Sequence, residues 1–254
     1  MNIEWGSIKH VTKVDPAKAL PPDLAILQET DLIIVGGSDN VTAENTRDTV
    51  TQLQDAVPSI PIFQEPYHAA HVSEETVTAV DRVSVPAVFN GDHQHFVSKH
   101  LAFFTEIGRK PDAITGVNLP VVGDVIKSKG REAVRRIADT ILAEGYVIQN
   151  LESKAASLTG VDRRLSPAEV AGAALATETF YGFPIFYIEY SGTYGGPTDV
   201  EAAAMYLDDT ILFYGGGITS REQTAEILAA GADAVVVGDC FHDDPVRFKR
   251  TIPQ

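Results

Sequence analysis

Short apolar, β-branched runs alternate with helical patterns along the chain, and Gly, Pro, Asn or Asp bounds each run. Eight such runs are predicted strands, beginning at Ile8 (IKHVTKV), Leu32 (LIIVGG), Ile60 (IPIFQE), Arg82 (RVSVPAVF), Gly145 (GYVIQN), Pro184 (PIFYIEY), Thr210 (TILFYGG) and Ala234 (AVVVGD). Several are apolar at every position, the mark of parallel strands buried on both faces. Helix starts are legible between them, at Asn40 to Glu44 ahead of TRDTVTQLQDAV and at Ser220 ahead of TAEILAAG, where Gly231 supplies the stop. The alternation predicts an α/β chain folded as a (β/α)8 TIM barrel. An open dinucleotide-binding sheet is disfavoured, because the first strand-to-helix turn lacks G-x-G-x-x-G. The connection between the fourth and fifth strands is long: HFVSKHLAFFTEIG, a loop over 109–124, and a predicted helix from Arg131 to Glu144. No shift of composition sets it apart, so it is expected to be an interface or lid, and residues 1–254 are read as one domain.

Length agrees, since barrels of about 250 residues are common, and 44% hydrophobic residues suffice for a large core. Charge narrows the partners. With 20 basic and 35 acidic residues the formal charge is -15, which repels nucleic acid. Salt would screen the self-repulsion, so a salt-rich cytoplasm is expected. The single cysteine, Cys240, excludes an intramolecular disulfide and reads as a small buried filler. The segment MNIEWGSIKH carries neither a charged leader nor an apolar h-region, and no apolar run approaches the roughly 20 residues of a membrane span. A cytoplasmic protein making at most transient contact with a membrane surface is expected.

Candidate chemistry gathers at strand ends, where barrels carry it. Phe213 to Ser220 (FYGGGITS) and Ala234 to Asp239 (AVVVGD) end the seventh and eighth strands in glycine. A tight turn would explain the triplet alone. Two such ends at adjacent barrel positions instead predict backbone N–H groups arranged around a phosphate. Lys13 and Asp15 alternate on the first strand and can both face the mouth, the lysine toward a phosphate and the carboxylate toward a hard cation. Asp15 by itself could equally be a turn residue ahead of Pro16. Glu189 lies on an otherwise apolar sixth strand, where burial of a carboxylate is costly and points either to function or to a structural ion pair. His93, His95 and His100 lack the ligand set of a known zinc pattern and read as a solvated helix face.

Taken in order, His10-Val-Thr-Lys-Val-Asp-Pro16, Gly36-Gly-Ser-Asp-Asn-Val-Thr42, Tyr187-Ile-Glu-Tyr-Ser-Gly-Thr-Tyr-Gly195, Phe213-Tyr-Gly-Gly-Gly-Ile and Val237-Gly-Asp239 resemble the family of geranylgeranylglyceryl phosphate synthases across almost the whole chain. The resemblance implies a prenyltransferase that joins geranylgeranyl diphosphate to sn-glycerol 1-phosphate in archaeal ether phospholipid synthesis, with Mg2+ as cofactor and a homodimeric assembly. It implies catalysis by Glu189 and Tyr187. It places Lys13, Tyr187, Ile188, Glu189, Tyr190, Ser191, Gly192, Gly217, Gly238 and Asp239 around glycerol phosphate, and Asp15 and Ser38 on the metal. The Asp239 carboxylate would repel a phosphate, so its contact would have to be made by the backbone N–H, and it departs from the Asn that members of the family often have there. Tyr194 fits either a flap over the prenyl chain or plain packing. A longer prenyl donor remains open, as do a phosphosugar isomerase or lyase and a non-catalytic phosphate-binding barrel. Asp208-Asp209 and Asp243-Asp244 do not continue into the D-D-x-x-D of all-α prenyl synthases.

Overall fold

The computed structural model describes residues 4–109, 132 and 134–253. Eight strands run His10–Val14 (β1), Leu32–Val35 (β2), Ile62–Gln64 (β3), Arg82–Val88 (β4), Ile141–Ile148 (β5), Ile185–Glu189 (β6), Ile211–Gly215 (β7) and Ala234–Val237 (β8). They close in chain order into a parallel barrel, β8 pairing with β1 through His10 opposite Val235. The (β/α)8 expectation is met.

Alternation along each strand makes two cores. Val11, Leu32, Ile34, Phe63, Phe213 and Val236 fill the barrel. Val14, Ile33, Val35, Phe186, Leu212 and Val235 face the surrounding helices. Each such side chain, fully buried, contributes about 1.5–3 kcal/mol from removal of apolar surface. The β2 run LIIV is buried at all four positions, which is why its pattern is continuous.

The helices begin where their caps predict. Ala43–Ala56 (α1) starts at Thr42, whose side chain and Asn45 cap each other's backbone N–H groups. Ser220 caps Arg221–Ala229 (α7 after α2 to α6 at Glu74–Ala79, His93–Arg109, Lys154–Thr159, Pro167–Leu175 and Thr198–Ala204). Gly231 follows that helix at φ +110°. Two short helices, Asp239–Asp243 (α8) and Pro245–Phe248 (α9), end the chain. At the barrel base His10 is fully buried between Thr30 Oγ1 (2.9 Å) and Thr251 Oγ1 (3.0 Å), tying β1 to the C-terminal segment.

One boundary is corrected. The helix expected up to Glu144 is helical at 134–138, and β5 begins at Ile141, so Glu144 is a strand residue. Gly145 imitates a helix stop, but it lies inside β5, where glycine is required because a Cβ would fall 2.2 Å from Thr177 Oγ1. The loop expected over 109–124 falls, from residue 110 on, outside the described residues, as does Arg131.

Candidate active site

A cavity of about 560 Å³ opens at the C-terminal ends of the strands. Lys13, Asp15, Ser38, Tyr187, Glu189, Ser191, Gly192, Gly217, Gly238 and Asp239 all line it, so ten of the expected site residues meet in one space. Ile188 and Tyr190 do not. Successive strand residues point to opposite faces, which turns Ile188 into the outer core and sends the Tyr190 hydroxyl to Asp199 Oδ2 at 2.6 Å. Their side chains stand outside the cavity, so of the expected contacts with glycerol phosphate only those through their backbone fit this geometry.

On the first-strand side, Lys13 Nζ lies 2.6 Å from Glu65 Oε1 and 5.5 Å from the centre of the Tyr187 ring. Burial works against charge on the amine, but Glu65 and then Glu189 outweigh it and hold the lysine pKa above its ordinary value. Asp15 Oδ1 accepts the Ala17 N–H at 2.9 Å, so the turn role ahead of Pro16 is present. The same carboxylate faces the cavity wall. A Cβ on Gly37 would fall 2.4 Å from Asp15 Oδ1, so glycine lets the loop carrying Ser38 close onto it. His242 fixes this corner: its Nε2 accepts the Asp15 N–H at 3.0 Å and its Nδ1 donates to the Ala19 carbonyl at 3.1 Å. Burial lowers the His242 pKa, in keeping with the neutral ring those two bonds require.

Glu189 ends β6 and is buried. Its Oε2 accepts the Tyr146 hydroxyl at 3.1 Å and its Oε1 accepts the Ser191 N–H. The structural ion pair considered for this residue is therefore not what holds it. Lys13 pairs with Glu65, and Glu189 is left between neutral donors. Ser191 adopts φ +32°, which reverses the chain directly after the strand and aims its N–H back at the carboxylate. Tyr187 lies against Tyr146 with ring centres 4.6 Å apart. Burial first, then Glu189, raises the pKa of both phenols well above the ordinary range.

At the glycine end, Gly217 has φ +61° and its Cβ would fall 2.3 Å from the Tyr194 N. The glycines thus satisfy backbone packing between the β6 and β7 loops as well as lining the cavity. Tyr194 takes the packing role, its hydroxyl on Glu226 and its ring edge-on to Tyr214. Asp239 does not project a lone charge into the cup: its Oδ1 accepts from Lys18 Nζ at 3.0 Å. Cys240 is buried, and burial pushes its thiol up to about 11, where it stays protonated. His93 bonds the Phe89 carbonyl. The side chain of His95 lies outside what the structure describes.

Glu65, Tyr146, Lys18 and His242 were missed in the sequence. Glu65 had a signal, a carboxylate at the end of a buried apolar strand, the same pattern that singled out Glu189.

A parallel eight-stranded barrel with glycine loops after β7 and β8, and a buried lysine and carboxylates beside them, defines a phosphate-handling barrel protein. The chain belongs to the PcrB family, whose model matches residues 3–253. It is 34% identical to the geranylgeranylglyceryl phosphate synthase of Methanocella arvoryzae over 94% of this chain and 92% of that one. It is 38% identical to the heptaprenylglyceryl phosphate synthase of Geobacillus kaustophilus over 92% and 87%. In fold it matches the (S)-3-O-geranylgeranylglyceryl phosphate synthase of Thermoplasma acidophilum, solved with sn-glycerol 1-phosphate, at TM-score 0.71 and 18% identity, covering 98% of this chain and 95% of that one.

Proposed function

We propose that this cavity joins geranylgeranyl diphosphate to sn-glycerol 1-phosphate, releasing diphosphate. The relatives' activities support the reaction class, and one observation carries it here: a buried carboxylate, Glu189, held by two neutral donors in the cavity that the glycine loops and Asp15 share. In this reading the phosphate of the acceptor sits at Gly217, Gly238 and the backbone of Asp239, with Lys13 beneath it. Glu189 takes the proton of the glycerol hydroxyl as that oxygen bonds to C1 of the prenyl chain. The C1–O bond to diphosphate breaks, and its electron pair leaves with the diphosphate. General-base help of this kind is worth about 10² to 10⁴ in rate.

Asp15 and Ser38 suit Mg2+, which takes one or two protein oxygens and otherwise keeps water and substrate phosphate. Gly37 leaves the Asp15 carboxylate room beside Ser38 at the cavity wall. When bound there, the ion supplies charge neutralisation to the leaving diphosphate.

The 38% identity to a heptaprenylglyceryl phosphate synthase favours a second donor, heptaprenyl diphosphate. Among the described residues no helix is long and apolar enough to cross a membrane, so either lipid donor would be met in the cavity or at a bilayer surface. Incubating the protein with labelled sn-glycerol 1-phosphate, Mg2+ and farnesyl, geranylgeranyl or heptaprenyl diphosphate tests both. A product extractable into organic solvent is expected, and its mass identifies the donor. Absence of product with every donor would end the proposal.

A further inference from the structure

Glu144 has no part in the chemistry above, yet burial of its carboxylate is costly. It is fully buried, and neither carboxylate oxygen has a hydrogen-bond partner among the described residues. On β5 it alternates with Tyr146 and Ile148, which line the cavity, so it points into the barrel two residues, ~7 Å, below the Tyr146 position. Around it inside the barrel stand Lys13 from β1, Glu65 from the end of β3, Ser84 from β4, Tyr146 from its own strand, and Tyr187 and Glu189 from β6. The facing residues of β7 and β8, Phe213, Ala234 and Val236, are apolar.

One cation thus faces three carboxylates that are largely shielded from water. Lys13 reaches one of them, Glu65, at 2.6 Å, and Glu189 is served by Tyr146 and Ser191. Glu144 has no cation of its own and, beside it, only the Ser84 hydroxyl, which makes no full hydrogen bond to it. An unpaired buried charge is the least tolerable outcome, and a carboxylate escapes it by keeping its proton. We propose that Glu144 is a positioning residue carried as the un-ionised acid beneath the cavity floor, where its proton keeps Glu65 as the sole partner of Lys13 and spares the anion site a further negative charge. The proposal rests on the reading that the cavity receives glycerol phosphate.

The physical consequence is an alkaline limit to anion binding. Burial, then the Glu65 charge, pushes Glu144 up to about 8. Lys13 and the two phenols titrate above that, and the second ionisation of a phosphate ester, near 6, is already complete. Glu65 is raised too, by burial first and against the pull of Lys13, but its contact with Lys13 gives its charge a partner that Glu144 lacks, so the proton belongs on Glu144.

The test is calorimetric titration of the full-length protein with sn-glycerol 1-phosphate from pH 7 to 9.5, for wild type and Glu144→Gln. Wild type is expected to lose at least tenfold in affinity across that range, and Glu144→Gln to stay level. An equal alkaline loss in the variant would overturn the proposal and move the titration to Glu65. Infrared spectra of wild type and Glu144→Gln, with glutamate carboxyls labelled by 13C, supply a second readout, in which the acid band should be missing from the variant. In wild type that band of un-ionised carboxylic acid should be present at pH 7 and vanish around pH 8, and its absence at pH 7 would equally overturn the proposal. If wild type binds no glycerol phosphate at any pH, the substrate reading fails, while the infrared band still decides the state of Glu144.

Discussion

The Tyr146 hydroxyl donates to Glu189 Oε2 at 3.1 Å across the β5–β6 edge, so a phenol makes the direct contact while Lys13, paired with Glu65, acts on this carboxylate only at a distance. A hydrogen bond to a charged group contributes about 1.5–3 kcal/mol. Tyr146→Phe is therefore expected to lower kcat about tenfold or more, with the KM for sn-glycerol 1-phosphate little changed. Glu189→Gln should lower kcat by about 10² to 10⁴. Steady-state kinetics on both variants, with circular dichroism as a control for folding, check this. Full activity in Glu189→Gln would remove it as the base.

Lys18 and Asp239 form a pair whose partners are both largely solvent-accessible, so its contribution to stability is at most about 1 kcal/mol. Its effect is on charge at the phosphate cup. Lys18→Ala leaves the Asp239 carboxylate unpaired beside Gly238 and should raise the KM for glycerol phosphate about tenfold, whereas Asp239→Asn should lower it. The double variant is expected between the two. KM values for the four proteins at one ionic strength decide the matter, and an equal effect of Lys18→Ala with Asp or Asn at 239 would show that the pair plays no part.

His10 sits neutral between Thr30 and Thr251, and burial lowers its pKa to about 4 against 6.5 for the free side chain. The unfolded chain therefore takes up a proton here before the folded one does. The resulting stability is present above pH 6.5 and is lost as the pH falls toward about 4, a change on the order of 3 kcal/mol. Urea midpoints measured from pH 7 to 4 should fall more steeply for the native protein than for His10→Gln, and parallel curves would rule the contribution out.

The formal charge of -15 should make stability depend on ionic strength. Thermal melts are expected to rise with added KCl over the low-salt range. A melting temperature indifferent to KCl would remove the reason for expecting a salt-rich setting.

Much of the site was legible because its signals are local. Lys13 and Asp15 share a strand face by simple alternation, and the glycine ends of β7 and β8 mark an anion loop wherever they are placed. That same alternation argues against Ile188 and Tyr190 as side-chain contacts, although they lie within the most distinctive motif of the chain. Glu144 was misread for a local reason: a helical pattern runs into Gly145, and only the contact of that glycine with Thr177 reveals a strand passing close beneath another element. Pairings such as Lys13 with Glu65, or Lys18 with Asp239, join residues 52 and 221 positions apart, a separation no local pattern reports.

The order of strands and helices, their burial on both faces and the strand ends that carry chemistry are properties of the one-dimensional sequence, because hydrophobic period and turn residues act over a few positions. Which carboxylate holds the lysine, which rests on a phenol and which must keep its proton are properties of the closed barrel. Barrel closure brings polar side chains from β1, β4, β5, β6 and the end of β3 into one largely desolvated space, and there proximity and desolvation, not residue type, decide each charge.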